Sequence, residues 1–181
     1  MVESDRARLG KILKEKSILR GEFILASGKK SDYYIDARLT TLDPEGVYLT
    51  GKIFLEEIRK YSEINAVGGP TMGADPIVGA LMVLSRESGY PLSGFLVRKW
   101  EKGHGTGKLI EGDLKPGDIT VVVEDVVTTG GSVIKAIDAV RKAGAQVKKA
   151  LVIVDREEGG QEKFSEIGVP LYSIFKISEL L

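Results

Sequence analysis

Two segments of the chain are apolar on consecutive residues rather than on alternate ones. They read "VVV" at residues 121–123 and "ALVIV" at residues 150–154. A strand with one face in water alternates apolar and polar side chains, whereas a strand covered on both faces has no such need. Both segments therefore predict strands that lie buried between two layers of other structure.

Strand and helix patterns alternate along most of the chain. The predicted strands are "INAVGG", "LSGFLVRK", "DITVVVED", "VKKALVIVDR" and "PLYSIF". The first predicted helix lies near the N-terminus and has Leu9, Ile12 and Leu13 on one side. The later predicted helices are "DPEGVYLTGKIFLEEIRKY", "GADPIVGALMVLSRES" and "GSVIKAIDAVRKAG". Upstream, "GEFILASGKKSDYYIDAR" predicts two short strands around residues 23–25 and 33–36. The alternation predicts an α/β fold, in which a mostly parallel central sheet is flanked by helices.

The composition excludes several classes of function. Lys+Arg and Asp+Glu both number 26, so no net charge attracts the chain to nucleic acid or to a membrane surface. The absence of cysteine excludes disulfides and thiol nucleophiles, and a single histidine, His104, excludes a multi-histidine metal site. No apolar run approaches the ~18 residues of a membrane span. The charged N-terminus lacks the apolar stretch of a signal peptide. We expect one cytoplasmic domain of 181 residues.

The stretch "VVVEDVVTTGGS", residues 121–132, predicts a ligand site. A buried strand runs into Glu124 and Asp125, a loop with two glycines follows, and Ser132 stands at the expected helix N-cap. In parallel sheets, ligands bind beyond the carboxyl ends of the strands. Backbone amides of such a loop suit a phosphate, whereas paired carboxylates suit a sugar diol or a hydrated cation. The combination predicts a site for a phosphorylated sugar.

The alternative is a loop that simply turns the chain, with both acids in water. The cost of placing paired acids at the end of a buried strand favours a site instead. No G-x-x-x-x-G-K-[ST] motif occurs, and no G-x-G-x-x-G follows this strand. These absences disfavour a nucleoside triphosphate or a dinucleotide as the ligand.

The stretch resembles the phosphoribosyl-diphosphate signature of type I phosphoribosyltransferases. Three further stretches, "FILASGKKSDYYID", "RKWEKGHGTGKLIEG" and "VIVDREEGG", are similar to the hood, the mobile catalytic loop and the base-binding strand end of orotate phosphoribosyltransferases. The resemblance covers nearly the whole chain. It implies one phosphoribosyltransferase domain over residues 1–181, with a hood at 1–40 and a mobile catalytic loop at 99–112. The implied reaction transfers the phosphoribosyl group from 5-phosphoribosyl 1-diphosphate to orotate, in pyrimidine biosynthesis.

The resemblance also implies roles for individual residues. Glu124 and Asp125 hold the ribose hydroxyls, and Asp125, Lys102 and His104 are the catalytic residues. The 5-phosphate is bound by Val126, Val127, Thr128, Thr129, Gly130, Gly131 and Ser132. The diphosphate is bound by Arg98, Lys99, Lys102 and His104. Orotate is bound by Thr128 and Arg156, with Tyr34 added from the hood because one of its two adjacent tyrosines is expected to face the pyrimidine. A homodimer with shared active sites is also implied.

The reaction itself calls for residues of this kind. A bond at an anomeric carbon breaks through an oxocarbenium-like transition state, so the departing diphosphate needs positive charge and the sugar must be kept from water. The basic, glycine-rich stretch from Arg98 to Gly112 suits a lid, although it could instead be a solvated loop. Mg²⁺ is expected to arrive on the diphosphate, with most of its waters retained. "GGPTMG" is either a diphosphate-binding turn or a plain connection.

Several alternatives remain open on the sequence. The base could be a purine or uracil, or the fold could belong to a ligand-sensing regulator without enzymatic activity. Arg156 could pair with Glu157 or Glu158 rather than with orotate. Many relatives have a lysine at the position of Ala26, and some have one at the position of Gly73. Lys29 or Lys30 could supply the positive charge that those lysines place near the diphosphate.

Overall fold

The structure is a computed structural model that describes residues 3–24, 30–100 and 109–181. Its N-terminal elements are helix α1 Asp5–Ile12, a π-helical turn Leu13–Ser17, strands β1 Ile18–Ile24 and β2 Lys30–Ile35, and helix α2 Arg38–Thr41. β1 and β2 pair antiparallel as a separate two-stranded sheet. Both predicted hood strands are therefore present, but β1 begins at Ile18, well before its predicted start, and Asp36 lies just beyond β2.

The remaining elements include all the strands and helices predicted downstream of the hood, together with one short strand and one short helix that were not predicted. They are α3 Pro44–Ile58, β3 Ala66–Pro70, α4 Ala74–Glu87, β4 Ser93–Val97, β5 Ile110–Gly112, β6 Ile119–Val127, α5 Gly131–Lys142, β7 Gln146–Asp155, α6 Gly160–Glu166, β8 Leu171–Lys176 and a 3-10 turn Ile177–Glu179. The sheet order is β5-β4-β3-β6-β7-β8, and only β5 runs antiparallel to its neighbour. The predicted α/β fold with a mostly parallel sheet is confirmed.

Helices cover both faces of this sheet. On one face, α1, α3 and α4 contribute buried side chains that include Leu9, Leu49, Phe54, Ile77 and Leu81. On the other face, α5 and α6 contribute Val133, Ile137 and Phe164. Val121 and Val123 of β6 pack into the first cluster and Val122 packs into the second, and all three are at most 1% exposed. Burial on both faces explains why these residues are apolar in succession.

The structure corrects the sequence prediction at three points. Ile110–Gly112, the end of the predicted mobile loop, forms edge strand β5 on β4. Three residues in a charged, glycine-containing stretch are too few to show a strand pattern. β6 continues past the two acids to Val127, so the loop begins at Thr128. Ser132 is not the N-cap of α5, because Gly130 caps the helix in a left-handed conformation with φ +80°.

Two short helices, α2 and α6, were not predicted. Each spans no more than two turns, so neither shows a full apolar period in sequence. Among the helices within the described ranges, none combines the length and the apolar character that crossing a bilayer would require.

Candidate active site

Glu124 and Asp125 are successive residues of β6, yet their carboxylates meet at one point beside Gly73. A Cβ built at Gly73 would overlap Oε1 of Glu124 and lie 2.6 Å from Oδ1 of Asp125. Glu124 is only 7% exposed. Glu124 therefore does not face water as the plain-turn alternative expected.

Burial controls the ionisation of this acid pair. It raises the pKa of Glu124 well above the ordinary range, and the neighbouring charge of Asp125 adds to the effect. Burial also raises the pKa of Asp125. Two backbone amides partly offset this cost: the Asp125 N–H donates to Glu124 Oε1 at 3.2 Å, and the Val126 N–H donates to Asp125 Oδ1 at 2.7 Å. A ligand that donates hydroxyl hydrogens would replace the lost hydration, as a sugar diol does.

The loop between β6 and α5 offers backbone amides to an anion. No side chain of the described residues caps the start of α5, so its first N–H groups have no side-chain acceptor. Gly130 is required there, because its φ is +80° and a Cβ would lie 2.8 Å from the Phe164 ring. Thr129 and Ser132 are exposed beside these amides. The arrangement suits one phosphate group.

A cavity of about 900 Å³ lies in front of the acid pair. Its lining includes six residues that the sequence had assigned to the sugar diphosphate: Arg98, Lys99, Glu124, Asp125, Val126 and Ser132. Thr71, Met72 and Gly73 of the "GGPTMG" turn also line it, which favours the diphosphate interpretation of that turn over a plain connection. Further lining residues are Arg38, Leu96, Trp100 and Glu111. The volume is that of a typical small-molecule site.

Sequence reasoning missed Arg38 altogether. It begins α2, shortly after strand β2 of the hood, and its Nε and Nη2 donate to the two carboxylate oxygens of Asp36, each at 2.8 Å. This pair lies far along the chain from Glu124 and Asp125, and no motif spacing links the two regions. Only the fold brings Arg38 to the acid pair.

Arg156 and Thr128 follow adjacent positions of two paired strands. Val127 of β6 pairs with Asp155 of β7, and the Arg156 N–H donates to the Val127 carbonyl at 2.9 Å. Arg156 Nη2 lies 2.9 Å from Glu158 Oε1, so the ion pair considered from the sequence is formed. The Nε atom of Arg156 is buried without a hydrogen-bond partner among the described residues. Arg156 therefore retains donor capacity next to Thr128.

The two hood tyrosines lie in different surroundings. The guanidinium carbon of Arg156 lies 5.3 Å from the ring centre of Tyr33. Tyr34 is 39% exposed, and the centre of its ring lies 5.7 Å from that of Phe23. Tyr33 is thus the tyrosine in contact with Arg156, and the assignment of Tyr34 to orotate stays a prediction.

The catalytic-loop assignments are placed only in part. Arg98 and Lys99 follow β4 at the cavity, and Arg98 Nη1 lies 3.2 Å from Glu111 Oε1. Lys102 and His104 lie outside the described residues, as do Ala26 and Lys29. Within the described ranges, no three His, Cys, Asp or Glu side chains are grouped so that they could hold a metal ion.

Comparisons with known proteins identify the family of this chain. The sequence model of the phosphoribosyl transferase domain matches residues 51–171. The orotate phosphoribosyltransferase of Aquifex aeolicus is 46% identical over 184 residues, covering 100% of both chains. The crystal structure of Mycobacterium tuberculosis orotate phosphoribosyltransferase in complex with Fe(III) dicitrate has a TM-score of 0.87 and 36% identity, covering 98% of this chain and 99% of that one. The same enzyme in complex with 5-phospho-α-D-ribosyl 1-diphosphate has a TM-score of 0.83 and 33% identity, with the same coverage. On sequence and structure alike, this chain belongs to the orotate phosphoribosyltransferase family.

Proposed function

We propose that the chain transfers the phosphoribosyl group of 5-phosphoribosyl 1-diphosphate to orotate, releasing diphosphate and giving orotidine 5'-monophosphate for pyrimidine biosynthesis. The observation that carries this proposal is the convergence of two acids, the buried Glu124 and the half-buried Asp125, beside an amide-lined loop in a chain of this family. The family membership supports the reaction, and the acid pair and loop support the placement of the sugar.

The sugar phosphate is held at two ends. The ribose 2- and 3-hydroxyls donate to Glu124 and Asp125, and the 5-phosphate accepts from the amides of residues 128–132 and the hydroxyls there. Carboxylates accept such donors well, whereas they would repel the phosphate. The spacing of acids and loop along one strand end therefore fixes the direction of the sugar in the cavity.

Orotate lies next to Thr128 and Arg156. A guanidinium presents a planar fork that suits a carboxylate, which distinguishes orotate from uracil and from purines. The buried, unpartnered Nε of Arg156 supports an acceptor at this place. The position of Arg156 beside the end of β6 sets the base close to the anomeric carbon of a sugar held by the acid pair.

The leaving diphosphate is stabilised by Arg98, Lys99, Lys102 and His104, with His104 able to supply a proton near neutral pH. Mg²⁺ would arrive on the diphosphate with most of its waters retained, and it would neutralise part of the diphosphate charge. The chain's own task is to place positive side chains around the diphosphate and to keep water from the sugar.

A homodimer is part of the proposal. An apolar groove between the start of α3 and the outer face of α4 includes Leu42, Tyr48 and Val83, which are 76%, 47% and 60% exposed. Exposed apolar patches of this kind mark interaction surfaces. The same helix α4 starts beside the acid pair at Gly73, so a second copy seated on this groove would lie near the active site. The cytoplasmic location stays a prediction.

The base preference tests the reaction directly. Product formation is measured in parallel with orotate, uracil, adenine and hypoxanthine, each with 5-phosphoribosyl 1-diphosphate and Mg²⁺. We expect turnover with orotate alone, and Arg156→Ala should abolish orotate turnover while leaving binding of the sugar diphosphate intact. Preference for an uncharged base would end the orotate assignment.

Shared active sites are tested by mixing two inactive variants, Asp125→Asn and Lys102→Ala. Mixed dimers combine one intact loop with one intact acid pair, so we expect partial recovery of activity. No recovery, despite demonstrated subunit exchange, would show that each subunit acts alone.

A further inference from the structure

Arg38 is held rigidly at the edge of the cavity. Its Nε and Nη2 donate to Oδ1 and Oδ2 of Asp36 at 2.8 Å each, and its backbone N–H donates to the same Oδ1 at 3.1 Å. Two parallel bonds fix the plane of the guanidinium. They use two of its three nitrogens, so Nη1 keeps donor capacity for a ligand, and the side chain is 43% exposed.

Arg38 shares this cavity with the acid pair and with the turn after β3. Glu124, Asp125, Thr71 and Gly73 all line the same space. The charge of Arg38 also acts on Asp125, favouring the ionised form of that carboxyl. A ligand that contacts the acid pair is therefore within the field of Arg38.

The charge balance of the cavity requires cations beside the acids. A sugar held through its diol carries its diphosphate on the adjacent anomeric carbon, close to Glu124 and Asp125. Two carboxylates repel that diphosphate unless positive groups stand between them. Three described residues of the lining are cationic: Arg38, Arg98 and Lys99. Arg98 pairs with Glu111 at 3.2 Å and Arg38 pairs with Asp36, and each of these arginines keeps guanidinium N–H groups outside its pair.

Position 73 is a glycine and supplies no cation on the side of the β3–α4 turn. A Cβ there would overlap Oε1 of Glu124 and displace the acid pair. Arg38 lines the same cavity as this turn and supplies a guanidinium there. We propose that Arg38 binds the diphosphate group of the sugar diphosphate through its free guanidinium edge, with Asp36 fixing its orientation. This inference rests on the proposed function for the identity of the substrate.

The test measures binding of three probes to the full chain by calorimetry: sodium diphosphate with MgCl₂, 5-phosphoribosyl 1-diphosphate, and ribose 5-phosphate. For Arg38→Met we expect affinity for the first two to fall about tenfold or more, since a charge-assisted bond to an anion is lost. Ribose 5-phosphate has no diphosphate, so its binding should change less than about twofold. Arg38→Lys keeps the positive charge but not the planar fork, so its affinity for diphosphate should lie between those of Arg38→Met and wild type.

Steady-state kinetics give a second readout. KM for 5-phosphoribosyl 1-diphosphate should rise in Arg38→Met, while KM for orotate stays within about twofold. Arg59→Met is the matched control, because Arg59 is an exposed arginine whose Nη2 donates to the Ser88 carbonyl rather than to a cavity group. This control should behave as wild type with every probe.

Two results would overturn the inference. The first is unchanged diphosphate binding in a folded Arg38→Met protein. The second is an equal loss of affinity for ribose 5-phosphate, which would mean that Arg38 maintains the shape of the cavity rather than binding the diphosphate. Wild-type protein that binds diphosphate through Arg38 yet shows no turnover with orotate would instead remove the proposed function and leave this inference standing.

Discussion

Arg156 Nη2 lies 2.9 Å from Glu158 Oε1, and this ion pair occupies part of the fork that the proposed function assigns to orotate. The side chain of Arg156 is 9% exposed and that of Glu158 is 33% exposed. The Glu158 carboxylate therefore stands where the carboxylate of a bound base would compete for the same donors. Orotate has to displace it or bind through the remaining nitrogens.

Glu158→Gln should lower KM for orotate by roughly two- to fivefold, because a partly exposed ion pair contributes at most about 1 kcal/mol. KM for the sugar diphosphate should not change. Glu157→Gln is the control, since Glu157 is exposed and its side chain accepts from the Ser178 amide instead. A higher KM for orotate in Glu158→Gln would mean that Glu158 orients Arg156 rather than competing with the substrate.

Gly73→Ala should separate activity from stability. The added Cβ overlaps Oε1 of Glu124, which is the end of a side chain that can move aside, so the fold survives. The acid pair is then displaced, and a shift of about 1 Å in a binding group costs about 100-fold in kcat/KM. Thermal unfolding and kinetics on the same sample measure both effects. Activity close to wild type would show that the acid pair need not stay in contact with the turn.

Replacement of Glu124 should stabilise the fold at neutral pH. Burial raises the pKa of Glu124 above its ordinary value of 4.5, because the folded protein favours the protonated carboxyl. The contribution of this group to the free energy of unfolding is therefore fully present below pH 4.5 and is lost as pH rises through the folded-state pKa. Glu124→Gln removes this loss. Its Tm should therefore exceed that of wild type at pH 8, with a difference that shrinks towards pH 4, while binding of the sugar diphosphate is lost. A constant difference in Tm across pH would contradict the burial argument.

A buried ion pair away from the cavity should matter for stability alone. Lys149 Nζ lies 2.6 Å from Oε1 of Glu57, which is 5% exposed and also pairs with Lys60. Lys149→Met should lower the free energy of unfolding by about 2 kcal/mol, since Glu57 keeps only one partner. The change should appear in urea denaturation, with kcat unaltered.

Lys148→Met is the matched control for this change. Lys148 pairs with Glu63 at 2.8 Å, but both side chains are about two-fifths exposed, at 42% and 40%. Exposed pairs contribute little, so the expected loss is below about 0.5 kcal/mol. Equal losses in the two variants would show that burial does not distinguish these neighbouring lysines.

The sheet could be predicted because its signal is local. Residues 121–123 and 150–154 are apolar in succession, which predicts strands buried on both faces. These residues do lie in strands β6 and β7. β5 could not be predicted in this way. Its three residues are held by pairing with β4, and that tertiary contact leaves no pattern in so short a stretch.

The acid pair and the loop after β6 could be located from sequence because they follow one another along the chain. Arg38 could not be located in this way, because only the fold brings the segment after β2 to this cavity. The sequence prediction that Ser132 is the N-cap of α5 was wrong. Gly130 can take the left-handed conformation that ends the loop, and residue types alone did not show which of the small residues does so.

The most direct test of the account is a crystal structure of the chain with 5-phosphoribosyl 1-diphosphate and Mg²⁺. We expect both ribose hydroxyls within about 2.6–3.2 Å of the carboxylates of Glu124 and Asp125, with the 5-phosphate on the amides of residues 128–132. A sugar bound elsewhere, or a cavity left empty beside the two acids at saturating ligand, would contradict it.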